Sequence, residues 1–275
     1  MSVHNSDRLP SMLADSPLPS GEWFARAAAT AIFLVAAGLT LYGAWSMHGG
    51  MPMPGGWTMP MMWMAMPSKS VWFSAWMFLL MWQAMMVAMM LPSTWPILAL
   101  YRRVAVFHRL AHASLGPWVV AAGYFGVWLG FGAVAFGAGF GISAWTMHSE
   151  SISRLVPLAA GLALVLAGIY QSTPLKQACL KHCREPVLYL SHEWRPGLGG
   201  ALRLGMHHGA FCAACCWALM LVQMILGVMN LLVMIVIAAI IGAEKLWKHG
   251  PALSRAVGFC TIAAGVALIA KLWMS

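Results

Sequence analysis

Residues 208–246 read HGAFCAACCWALMLVQMILGVMNLLVMIVIAAIIGAEKL, with no charged side chain between Gly209 and Ala243. An uncharged apolar run of this length belongs in a bilayer rather than a soluble core. As one helix it would measure about 58 Å at 1.5 Å per residue, far beyond the roughly 30 Å of hydrocarbon it would cross. Gly227-Val228-Met229-Asn230 supplies turn residues near the middle. The run is therefore read as two antiparallel spans, about 208–226 and 229–246.

Five further apolar stretches lie at about 27–47, 71–91, 118–141, 155–173 and 252–272, giving about seven spans. Composition agrees: 61% of the 275 residues are hydrophobic and 8% charged, where soluble domains carry about a quarter charged. The expected fold is all-α, a polytopic membrane helix bundle forming one domain over 23–275. Residues 1–22 are polar, rich in Ser and Pro, and expected to be disordered. That polar stretch and the lack of a following Ala-x-Ala-like site make the first span a retained signal anchor rather than a cleaved leader.

The net charge of +9 reports topology, not nucleic-acid binding. Arg102, Arg103 and Arg109 follow the second span, and Lys176, Lys181, Arg184, Arg195 and Arg203 follow the fourth. Lys245, Lys248 and Arg255 lie between the sixth and seventh, while the alternate loops hold only Lys69 and Arg154. The positive-inside rule then predicts a bacterial inner (cytoplasmic) membrane protein with a cytoplasmic N-terminus and outer loops at 48–70 and 142–154. Most cysteines fall toward the inner face, so reduced thiols are expected rather than disulfides. Ala44-Trp45-Ser46-Met47-His48 matches Ala144-Trp145-Thr146-Met147-His148, and Ser93-Thr94-Trp95-Pro96 resembles Ser172-Thr173-Pro174. These marks suggest a parallel two-helix repeat whose spans end at Ser93 and Ser172, with 49–69 inserted into the first copy.

That insertion lies in the outer loop at 47–70. It gathers Met47, His48, Met51, Met53, Met59, Met61, Met62, Met64 and Met66 among Pro and Gly residues that forbid one continuous helix. Thioethers are soft, uncharged ligands that suit Cu(I) or Ag(I) over Zn, Mg or Ca. The competing reading is an interfacial loop, with Trp57 and Trp63 at the headgroups. Met81, Met85 and Met89 continue a four-residue series from Met77, beside Met86 and Met90, and Cys212, Cys216, Met220 and Met224 form another. Each is a helical stripe that either carries a soft ion or simply packs.

The inner loop at 174–207 carries Cys179 and Cys183, with His182 beside them, and His207 and His208 precede Cys212 by about a turn. Such thiols can hold Cu(I) or Zn(II), or act in redox exchange. Cys215 and Cys216 are neighbours pointing about 100° apart on a helix, so only one is expected beside Cys212. Met147 and His148 are expected to complete the outer site. His108 and His112 are read on an amphipathic interfacial helix, and Glu244 as a partner of Lys245 or Lys248 or in a polar contact inside the bundle.

Gly168-x-Tyr170-Gln171-x-Thr173-Pro174-Leu175-Lys176-x-x-Cys179-Leu180-x-x-Cys183-Arg184-x-Pro186 is a long signature. So is Gly205-x-x-His208-Gly209-x-x-Cys212-x-x-Cys215-Cys216-Trp217-x-Leu219-Met220, followed by Gly227-x-Met229-Asn230. With Ala88-Met89-Met90-Leu91-Pro92-Ser93, they resemble the bacterial family of predicted metal-binding integral membrane proteins, a domain of unknown function. The resemblance covers roughly 75–247 and implies a metal-linked membrane role.

These readings predict a copper-handling membrane protein. Cu(I) is captured by the outer Met-rich loop, passed inward along the Met stripe, and held at the inner Cys and His residues. The alternative is a copper-presenting assembly factor, or a structural subunit of a larger membrane complex, without transport. Expected partners are the lipid bilayer and a cuproprotein or larger complex, with a homo-oligomer left open and nucleic acid excluded. No Walker-type motif and no nucleophile–base constellation occurs, so neither an ATP-driven pump nor an enzyme is expected.

Overall fold

The computed structural model describes residues 22–46, 49–63 and 70–274. Nine helices are found among them: α1 (Glu22–Ser46), α2 (Val71–Phe107), α3 (Gly116–His148), α4 (Glu150–Ser172), α5 (Pro174–Arg184), α6 (Pro186–Glu193), α7 (Gly197–Gly227), α8 (Leu231–Leu246) and α9 (Gly250–Met274). Six of them, α1, α2, α3, α4, α7 and α9, are long and apolar enough to cross a membrane. The expected all-α bundle is present. The expected sixth span, 229–246, is α8, whose 16 residues reach about 24 Å, short of a full crossing.

The predicted break inside the 208–246 run is real and has a clear cause. Gly227 ends α7 with φ 115°, a left-handed conformation that costs glycine little. Asn230 then caps α8, its side chain accepting from Val233 N at 3.2 Å.

Ser93 to Pro96 do not end a helix. Pro92 and Pro96 lie inside the 37-residue α2, and the hydroxyls of Ser93 and Thr94 both donate to the Met90 carbonyl, at 3.0 and 2.8 Å. Local hydroxyl donors and packed neighbours let membrane helices tolerate proline. The helix stops instead at Arg109 (φ 50°), where Leu110 N bonds Ala105 O and Arg109 N bonds Val106 O, a Schellman ending. His108 and His112 therefore lie on turns, not on an amphipathic helix. Ser172 does end a helix: Thr173 caps α5, accepting from Lys176 N, with Pro174 in the first turn. The segment 174–207 is accordingly built from α5, α6 and the start of α7.

Within the Met-rich segment, Gly50–Met53 (β1) pairs antiparallel with Trp57–Pro60 (β2), setting Met51 opposite Met59 and Met53 opposite Trp57. Pro and Gly forbid a helix here but allow a tight hairpin. The hairpin docks on the start of α4, where Trp57 Nε1 donates to Ser153 O at 3.0 Å and Ser153 Oγ to Pro54 O at 2.8 Å. Trp63, just beyond it, packs against Phe78 of α2, the rings tilted with centroids 5.2 Å apart.

α7 is central, packed against α3, α4, α5 and α8. Small residues set its distance from α3, because a Cβ at Gly123 would lie 2.5 Å from Leu202 O and one at Gly209 2.9 Å from Tyr124 O. Close backbone approach through glycine is how helices pack where lipid removes the hydrophobic drive. α4 and α9 cross the same way, Gly168 against Gly258 and Gly161 against Gly265.

Candidate metal centre

The sulfur atoms of Cys212, Cys215 and Cys216 all lie within 4.8 Å of one another, buried in the middle of α7. Positions i, i+3 and i+4 share one helical face, at −60° and +40° from the first. The expectation that only one of the adjacent pair joins Cys212 is therefore wrong. Each flanks Cys212 on its own side, and the Cys215 and Cys216 sulfurs are 3.2 Å apart. A fourth thiol arrives from α5, Cys183 Sγ at 4.0 Å from Cys215 Sγ.

The cluster has cationic and hydroxyl neighbours that the sequence reading did not place there. Lys245, at the end of α8, donates from Nζ to Cys212 Sγ at 2.9 Å and to Ser93 Oγ at 3.3 Å, with Met90 Sδ at 4.0 Å. Tyr124 Oη of α3 lies 2.9 Å from the same Cys212 sulfur. Lys176, fully buried on α5, donates to Cys215 O at 2.6 Å and to Glu244 at 2.8 Å. Glu244 thus pairs with Lys176, not with Lys245 or Lys248, which leaves the Lys245 ammonium for the thiols. Arg184 fixes this corner by donating to the Glu244 and Trp247 carbonyls at the end of α8, both at 2.6 Å.

A metal–thiolate bond is about 2.3 Å, so three sulfurs around one ion stand about 4 Å apart. The observed spacing closes on such an ion with sub-ångström shifts. Thiolates suit Cu(I) or Zn(II). The Lys245 ammonium within the same buried shell offsets part of the negative charge that a multi-thiolate site carries around a monovalent ion.

An aromatic antechamber borders the cluster. His182 stacks on Phe211 at 3.9 Å and meets Tyr189 edge-on at 4.6 Å. His208, buried one turn before Cys212, lies against Tyr124 and Tyr189, both at 5.5 Å, and its Nδ1 has no hydrogen-bond partner. Burial, and then the neighbouring His207, hold the His182 imidazole below its usual pKa, and its Nε2 has no hydrogen-bond partner. Burial also pushes the Cys179 thiol up.

The remaining predicted residues separate into groups. Cys179 is buried on α5 outside the three-sulfur cluster, although it sits four residues from Cys183. Met85 and Met89 of α2 and Met220 of α7 share the core that holds the thiols. Met81 turns away to pack on Gly43 of α1, because a four-residue series drifts about 40° per step. Met53 and Met59 are buried in the hairpin, Met51 and Met61 are exposed, and Met62 is partly buried. Met147 and His148 are exposed at the end of α3, His148 Nδ1 lying 2.7 Å from its own helix's Ala144 O. Met47, His48, Met64 and Met66 lie outside the described residues.

Buried thiols at the centre of a bundle with six helices long and apolar enough to cross a membrane define a helical protein with a candidate soft-metal site. A family model described as PpoB2, copper chaperone, matches residues 79–268, and the chain belongs to that family. The metal link implied by the motifs thus becomes a copper link under a different family description. No curated protein and no solved structure matches the chain. Family and thiol cluster together make this a copper-handling protein.

Proposed function

We propose that the protein resides in a bacterial inner membrane with its N-terminus cytoplasmic, and holds Cu(I) at Cys212, Cys215 and Cys216. Ions reach that cluster from the outer Met-rich hairpin. The observation that carries this is the buried three-thiol cluster with Lys245 donating to Cys212. Orientation is supported by the gathering of basic side chains at one end of the bundle. There Arg103 lies 3.7 Å from Glu22 and Arg184 binds the end of α8, while the hairpin occupies the opposite ends of α3 and α4.

The direction of passage follows from chemistry. Neutral thioethers bind weakly and buried thiolates more strongly, so an ion descends from Met51, Met53 and Met59 toward the cysteines. The register places those three methionines on one face of the hairpin. The family description favours a second reading, in which the cluster presents copper to a cuproprotein or a larger complex rather than delivering it across the membrane.

Metal content after anaerobic Cu(I) loading against a competing chelator separates these readings from simple packing. Wild type is expected to retain copper, and a variant with the methionines of 47–66 changed to Leu to lose part of it. Copper absent from wild type would overturn the reading. Lower whole-cell copper in the Met variant supports passage inward, whereas unchanged cell copper with a metal-deficient outer cuproprotein supports presentation.

A further inference from the structure

The Met stripe of α2 faces a polar group that packing does not explain. Gln223 of α7 is 2% exposed in an otherwise apolar core. Its Nε2 donates to Met85 Sδ at 3.3 Å, and its Oε1 has no partner. A thioether is a weak acceptor, and leaving a buried carbonyl unsatisfied is destabilising. A position that only filled space would be served better by Leu or Met. Met220, one turn away on α7, and Met86 and Met89 on α2 are buried in the same core.

We propose that Met85 and Gln223 form a second binding station for a soft monovalent cation, through thioether sulfur and amide oxygen, distinct from the thiol cluster. It rests on the reading of copper as the ion held by that cluster. Gln223 stands seven residues beyond Cys216, about 10 Å along α7, toward the end that carries the hairpin. Met90 lies five residues past Met85, about 7.5 Å along α2, and its sulfur is 4.0 Å from the Lys245 ammonium that touches Cys212. The station therefore lies between the outer methionines and the thiols. Both its donors are uncharged, so it binds less tightly than thiolates, as a site that must release its ion requires.

Ag(I), a redox-stable probe for Cu(I), tests this on the full-length purified protein. A Cys183→Ser, Cys212→Ser, Cys215→Ser, Cys216→Ser variant is expected to retain Ag(I), with thioether and oxygen neighbours by X-ray absorption. Adding Met85→Leu and Gln223→Leu is expected to lower the Ag(I) count by one, the ions on the hairpin thioethers remaining. In the otherwise wild-type chain, Gln223→Leu alone should lower the bound-metal count while the thiolate–metal absorption band persists. Its thermal midpoint should not fall, since an unpaired polar group is removed. Retention unaffected by the two Leu changes, or none in the four-serine variant beside an unchanged count in Gln223→Leu, would overturn the station. Failure of the copper reading is a separate outcome, seen as wild type binding neither metal.

Discussion

Lys245 decides how the thiol cluster behaves, because it is the charged group that directly touches a cluster sulfur. A hydrogen bond involving a charged group is worth about 1.5–3 kcal/mol, and 1.4 kcal/mol is tenfold in affinity. Lys245→Leu is thus expected to weaken Cu(I) binding about tenfold or more in chelator competition, and Lys245→Arg to restore part of the loss. Equal affinity in the Leu variant would remove the lysine from the site. Sequence alone made the cysteines and His208 legible through their spacing. Lys245 was not, because beside Glu244 it reads as half of a local pair. The partner that frees it, Lys176, comes from 68 residues away, and no local pattern encodes that. Tyr124 and Gln223 were equally hidden, each a lone polar residue in an apolar run.

The helices meet through backbone at their glycines. A Cβ at Gly168 would lie 2.5 Å from Gly258 O, so a larger side chain must push α4 and α9 apart. Overpacking of this kind costs about 1–3 kcal/mol, and Gly168→Leu is expected to lower the thermal midpoint in detergent. A change at Gly126 of α3, where a Cβ meets nothing within 4 Å, should be nearly silent. If both variants unfold alike, the glycine crossing is not what sets the α4–α9 distance. Span positions and the Gly227–Asn230 break could be read from hydropathy and turn chemistry. The end of α2 could not, since Pro92 and Pro96 look like terminators while the Schellman turn at Arg109 carries no strong residue signal. The hairpin was hidden for a related reason: Pro and Gly exclude a helix without saying which turn replaces it.

On the scale of the whole molecule, hairpin methionines, buried α2 thioethers and α7 thiols form a series from one end of the bundle toward the other. If copper passes this way, changing Met51, Met53 and Met59 to Leu should reduce whole-cell copper loading while leaving Cu(I) affinity at the thiol cluster of the purified protein unaltered. Loss of both would mean that the hairpin acts by holding the fold. Copper-edge X-ray absorption on the Cu(I)-loaded protein reads directly whether the three α7 thiols hold the ion. Wild type is expected to show only sulfur neighbours at about 2.3 Å, replaced by a sparser or thioether-only set when Cys212, Cys215 and Cys216 become Ser. Neighbours dominated by nitrogen or oxygen, or a sulfur set unchanged by the three substitutions, would contradict a three-thiol site.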